Sequence, residues 1–246
     1  MDVLGQEGYR IRSDWGRRGA RAAAERGDLV VICDVLSFST AVAAAVSRGA
    51  VIHPCASREE ADQAHRAHGA EIAVARASVP AEGRFSLSPV ACDRAESGTV
   101  IALTSPNGAT CCRAAADAPR VLLGALVNAA AVGAAVRHWL DEDESRAVTV
   151  IACGERYRED GAIRFAMEDL LGAGAVLSHL HGSASPEAHA ARAAFLGLRG
   201  SLHPTLEESA SGRELREGGF AEDVRFAARL DALAAVPELR EDGALR

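Results

Sequence analysis

The sequence predicts an α/β protein: three layers, with a largely parallel or mixed sheet flanked by helices and a helix-rich C-terminal half. Short, near-continuous apolar runs of strand length alternate with Ala-rich helical stretches across residues 29–152. Strands buried on both faces read as such runs, because helices cover the sheet. Six alternations favour right-handed βαβ crossovers. With 246 residues, 48% of them apolar, the chain can also bury a substantial core.

The expected strands are residues 29–33, 51–53, 71–75, 99–104, 120–123 and 148–152. Between them, residues 40–48, 57–67, 109–116 and 129–140 read as helices, with Ser57 and Glu60 forming a capping box at the second. Beyond Cys153 the pattern turns helical at residues 164–181, 186–198, 205–216 and 220–230, and a last strand is expected at 235–239. Residues 76–89, with Pro80, Gly83 and Ser88-Pro89, exceed ordinary loop length and suggest a functional loop. No Gly/Ser linker, fixed-period repeat or low-complexity tail interrupts the chain, so residues 1–246 read as one domain.

Composition narrows the chemistry. A net charge of -7 disfavours nucleic acid and anionic membrane as partners, and leaves a small ligand. All 27 basic residues are Arg. Without lysine, Schiff-base and pyridoxal-phosphate mechanisms and the P-loop are excluded, so an anion site must use Arg, helix N-termini or a metal. Residues 121–136 are the longest uncharged stretch near the middle and fall short of a membrane span. The six cysteines lack C-x-x-C spacing, none has Arg six residues on, and residues 1–12 show no apolar signal region. Buried reduced thiols and a cytoplasmic location are expected.

Ligands of open parallel sheets bind beyond the carboxyl ends of the strands. Polar residues collect there: Asp34, Ser37, Ser39 and Thr40 after the first strand, Arg76 after the third, and Ser105, Asn107 and Gly108 after the fourth. Asn128 follows the fifth, and Glu155 the sixth. Ser39, Asn107 and Asn128 also suit helix capping. Asp34, directly after five apolar residues, would be desolvated without a metal, an Arg or backbone donors. Its neighbourhood is not the Asp-x-Asp of haloacid-dehalogenase phosphatases, since Leu36 stands at the second position. A second acidic cluster, Glu168-Asp169, lies beside an apolar helix face; its alternative reading is two solvated acids near a helix start.

These residues fall within an ordered set of motifs: Val30 to Thr40, Phe85 to Pro89, Leu103 to Gly108, Gly124 to Ala129, Glu168 to Gly174, Ser211 to Leu215 and Gly219 to Val224. Together they resemble the 2-phosphosulfolactate phosphatase family from about Leu29 to Pro237. The resemblance implies a Mg²⁺-dependent phosphatase acting on 2-phospho-3-sulfolactate, a step toward coenzyme M, or on a related small phosphorylated hydroxy acid. It points to Asp34, Asn107, Asn128, Glu168, Asp169 and Arg76 as site residues, with Arg213 a further candidate.

On this reading Asp34, Glu168 and Asp169 bind metal and, with Glu155, serve catalysis. Ser39, Thr40, Arg76, Asn107, Gly108, Asn128 and Arg213 bind substrate. The expected partner is a small anionic phosphate ester, with a homodimer left open. Two departures stand out, for the family usually has Arg where this chain has Ser37, and Gly-Glu-Arg where it has Val74-Ala75-Arg76. They motivate an alternative, a non-catalytic anion-binding or regulatory protein on the same scaffold.

Overall fold

The computed structural model describes residues 5–157 and 159–246. It opens with two elements the sequence pattern leaves unassigned, β1 (Ile11–Trp15) and α1 (Gly16–Glu25). β1 includes Arg12, Ser13 and Asp14, so it lacks an apolar run. It can, because it is an edge strand, paired only with β7 in its sheet.

The expected alternation follows: β2 (Leu29–Cys33), α2 (Phe38–Ser47), β3 (Val51–Cys55), α3 (Arg58–His68), β4 (Glu71–Ile72), α4 (Pro89–Cys92), β5 (Val100–Thr104), α5 (Gly108–Ala114), β6 (Val121–Leu123), α6 (Ala129–Asp141) and β7 (Val148–Ala152). A short antiparallel hairpin, β8 (Glu155–Arg156) and β9 (Ile163–Arg164), precedes the C-terminal helices. These are α7 (Met167–Ser178), α8 (Pro186–Leu198), α9 (Leu202–Glu208), α10 (Ala210–Glu217) and α11 (Ala221–Ala227). Among the described residues no helix is long and apolar enough to cross a membrane.

The long strands divide between two parallel sheets, ordered β1-β7-β2-β6 and β3-β5-β4. The chain passes from the first sheet to the second through α2 and returns through α5. That explains why residues Phe38 to Ala45 of α2 are all buried: a helix enclosed on every side carries no polar face. Around the first sheet, α1 packs with α5 against β1, β7 and β2, while α7 packs on β7 and β2 and pairs with α8. α7 and α8 touch so closely that a Cβ on Gly174 would lie 2.1 Å from the Ala191 carbonyl oxygen.

Several boundaries differ from expectation for identifiable reasons. β4 stops at Ile72, and the Val74 N–H turns away to the Phe85 carbonyl. Residues 163–164 belong to the hairpin, so α7 starts only at Met167. The helix expected over 205–216 breaks at Ser209, whose extended backbone (φ -64°, ψ 161°) ends α9 and whose hydroxyl caps α10 by accepting from the Gly212 N–H. The expected strand at 235–239 is not regular. It follows β6 through the Leu123 N–H to the Pro237 carbonyl and the Leu239 N–H to the Val121 carbonyl, both 2.9 Å, and Pro237 itself has no N–H to extend the ladder. At α3 the Ser57 hydroxyl accepts from the Glu60 N–H as expected, while the Glu60 carboxylate reaches one residue further back, to the Ala56 N–H.

Candidate active site

The C-terminal ends of strands from both sheets open onto one cavity of about 570 Å³. Asp34 and Ser37 reach it from the end of β2, Arg76 from the segment after β4, Ser105 and Asn107 from the end of β5, and Glu155 from the end of β7. Leu215 and Glu214 of α10 and Phe220 before α11 close the other side. A larger cleft of about 650 Å³ lies beyond Pro106 and Arg156, lined by four arginines and no buried carboxylate. The chemistry collects in the smaller one.

Asp34 is 6% exposed. Its Oδ1 accepts from the Phe38 N–H at 3.2 Å, and its Oδ2 accepts from the Gly108 N–H at 2.9 Å and the Ser105 hydroxyl at 3.3 Å. These bonds hold its pKa down, but burial, joined by the negative charge of Glu155, outweighs them and lifts it to about 6. Asp169, equally buried, accepts from the Val35 N–H at 2.8 Å and the Gly154 N–H at 2.9 Å, so one carboxylate of α7 clips together the ends of β2 and β7. Burial, then the charges of Asp34 and Glu168, push its pKa well up. Glu168 is 3% exposed, and no hydrogen-bond donor among the described residues reaches its carboxylate. The alternative of two solvated acids is therefore excluded: both are buried.

Glu155 is held by two donors, the Asn107 side-chain amide and the Arg156 N–H, each 2.8 Å from Oε1. Arg156 in turn donates to Asn107 Oδ1 at 3.2 Å, which fixes the amide's orientation. Arg76 is engaged on two of its three nitrogens. Its Nε donates to Asp223 Oδ2 at 2.9 Å, and its Nη2 to the Ser37 hydroxyl at 2.8 Å and the Leu87 carbonyl at 2.5 Å.

Four expected substrate ligands lie elsewhere, and a fifth is spoken for. The Ser39 hydroxyl bonds the Ile32 carbonyl and the Asp34 N–H, and the Thr40 hydroxyl bonds the Val35 carbonyl, so both fasten the loop from beneath. Asn128 is fully buried. Its oxygen accepts from the Ala125 N–H, and its amide donates to the Leu123 and Ala235 carbonyls. Arg213 points to Glu208 on the surface. The Gly108 N–H, expected to bind substrate, is spent on Asp34.

The acids also bear on the metal expectation. Among the described residues no three His, Cys, Asp or Glu side chains converge as a ready cation cage, so Asp34, Glu168 and Asp169 do not form a three-carboxylate set. The donor chemistry nonetheless fits Mg²⁺, which keeps several waters and is commonly held by one or two carboxylates plus substrate oxygens. Among the described residues no arginine is bound to Asp34, Asp169 or Glu168, so these clustered, buried carboxylates lack the positive charge there that would offset their burial.

Sequence reasoning passed over Ser88, Arg156, Glu214 and Asp223 as site residues. Asp223 has the local signature of a first-turn helix acid, and its partner Arg76 lies 147 residues away. Only its place in the ordered motifs marked it out.

An α/β scaffold thus gathers hydrogen-bonded acids and one clamped arginine at its strand ends. The profile of the 2-phosphosulpholactate phosphatase family matches residues 19–242, and the chain belongs to that family. It is 30% identical over 224 residues to a probable 2-phosphosulfolactate phosphatase of Gloeobacter violaceus, covering 89% of this chain and 91% of that protein. A probable 2-phosphosulfolactate phosphatase of Symbiobacterium thermophilum is 31% identical, with 87% and 92% coverage. The 2-phosphosulfolactate phosphatase of Methanothermobacter thermautotrophicus is 29% identical, with 88% and 89% coverage.

Proposed function

We propose that this chain hydrolyses the phosphate ester of a small phosphorylated hydroxy acid, 2-phospho-3-sulfolactate or a close relative, with Mg²⁺ as its cofactor. The observation that carries the reading is the joint presence, in one cavity, of the raised-pKa carboxyl of Asp34, the anchored carboxylate of Glu155 and the clamped guanidinium of Arg76. The family and its named relatives support the substrate class.

Each residue has a distinct task. Asp34 and Glu168, buried beside Asp169, are the acids to hold the cation. When bound, Mg²⁺ would neutralise charge on the phosphoryl oxygens. Glu155, with both donors on the same oxygen, keeps Oε2 open to orient an attacking water and take its proton. Asn107 presents Glu155 rather than touching phosphate itself. Arg76 receives the substrate's carboxylate or sulfonate. Asp169 shapes the site from behind through its two backbone bonds. The six free, buried cysteines accord with a reducing, cytoplasmic setting.

The decisive experiment is phosphate release from a panel of phosphorylated hydroxy acids, with and without EDTA. Mg²⁺-restored turnover of at least one ester is expected. Tight ligand binding with no release from any ester would instead favour the non-catalytic reading, which Ser37 and Ala75 motivate by removing charged groups from the cavity wall.

A further inference from the structure

Arg76 reaches the cavity from a segment without regular strand structure, where a long side chain would ordinarily sample many rotamers. Here it does not, because Asp223 fixes it. Asp223 is only 3% exposed and sits in the first turn of α11. One of its oxygens accepts from Arg76 Nε at 2.9 Å, and the other accepts the Ser88 hydroxyl at 2.5 Å. Ser88 is itself buried and caps α4 by accepting from the Ala91 N–H. Phe220 lies 5.8 Å from the guanidinium carbon and lines the same cavity. With Nε taken by Asp223, and Nη2 by Ser37 and Leu87, the guanidinium plane is fixed along one edge. Nη1 has no protein acceptor among the described residues, while the residue lines the cavity.

From this arrangement we infer that Asp223, seconded by Ser88, is a positioning and specificity-determining residue. It aims Arg76 Nη1 at an anionic group of the substrate other than the phosphoryl, and so makes the C-terminal helix α11 part of substrate selection. The inference rests on the phosphoester-hydrolase reading for its substrate class. The clamp's geometry is independent of that reading. A guanidinium immobilised by a buried carboxylate binds a second anion without first losing rotamer freedom. Released from Asp223, the same arginine keeps its charge but loses its aim. The effect therefore falls on esters that carry a second anion and not on those that lack one.

The test compares 2-phosphoglycolate, which has phosphoryl and carboxylate groups, with ethyl phosphate, which has phosphoryl alone. Asp223→Asn and, as a smaller disturbance that leaves the charge pair intact, Ser88→Ala are measured for both. The expected result is a KM for 2-phosphoglycolate raised about tenfold in Asp223→Asn and a fewfold in Ser88→Ala, with kcat and the ethyl phosphate KM within twofold. In an Arg76→Gln background, Asp223→Asn should add little, because its effect runs through the arginine. Equal KM changes for the two esters, or full additivity with Arg76→Gln, would overturn the inference. Should Asp223→Asn fail to fold, the Ser88→Ala ratio decides. Should no ester release phosphate, calorimetric binding of the same two compounds reads the clamp directly: loss of preference for 2-phosphoglycolate in the variants supports it, and an unchanged preference refutes it.

Discussion

At Asp34, burial prevails over three hydrogen bonds and lifts the carboxyl's pKa to about 6 at the wall of the cavity. Asp34→Asn should lower phosphate release by at least about a hundredfold while shifting stability by no more than about 1 kcal/mol. The lost acceptor for the Phe38 N–H is offset by removal of a desolvated charge; a steady-state assay and a denaturant melt check both. Asp169→Asn meets the same balance, since both oxygens of either aspartate accept backbone N–H groups and a desolvated charge is again removed, so its stability should also shift by no more than about 1 kcal/mol. Asn128→Ala, which strips partners from one backbone N–H and two carbonyls, should cost about 1–3 kcal/mol and leave KM unchanged. Asn107 and Asn128 show how far single residues are legible: each follows a strand and precedes a helix, yet one faces the cavity and the other its own backbone. That choice is made by Glu155 and by the carbonyls of Leu123 and Ala235, groups distant in sequence or hidden in the main chain. Asp34 was readable because a carboxylate after five apolar residues contradicts its surroundings.

Elements were legible where one period dominates. β2 carries an uninterrupted apolar run and β7 one broken only by Thr149, and α8 ends where its pattern ends. β1 and the β8–β9 hairpin were missed because an edge strand and a two-residue ladder need no apolar run. The division into two sheets left only an indirect trace, the absence of any charged residue from α2. At the start of α5, Gly108 shows why an element can be bound to the site: a Cβ there would fall 2.2 Å from Phe38 Cδ1 and 2.8 Å from Asp34 Oδ2. Gly108→Ala should therefore destabilise by about 1–3 kcal/mol and depress turnover together, since α5 must recede and release Asp34. A thermal melt combined with kcat separates this from a neutral replacement.

For the molecule as a whole, the acids set an unusual pH profile. Asp34 and Asp169 have folded-state pKa values raised above the unfolded value of 3.8, so the folded state binds more protons. The stability they confer is complete below that value and lost as pH rises through about 6 for Asp34. Asp242, lowered to about 2, and Glu71, Glu208 and Glu238, also lowered, act in the opposite sense; their contribution is lost as pH falls below about 4.5. Metal-free protein should be most stable between about pH 4 and 5 and lose roughly 2 kcal/mol toward pH 7 through Asp34 alone. Added Mg²⁺ should flatten that decline, as calorimetric melts at pH 5 and 7 would show; a decline that Mg²⁺ leaves untouched would count against the metal proposal.

Because the cavity takes Asp34 and Glu155 from the β1-β7-β2-β6 sheet and Arg76, Ser105 and Asn107 from segments leaving the β3-β5-β4 sheet, it straddles the seam between them. An occupant there acts as a rivet. Its presence should slow amide deuterium uptake not merely around the cavity but along β3 and β5.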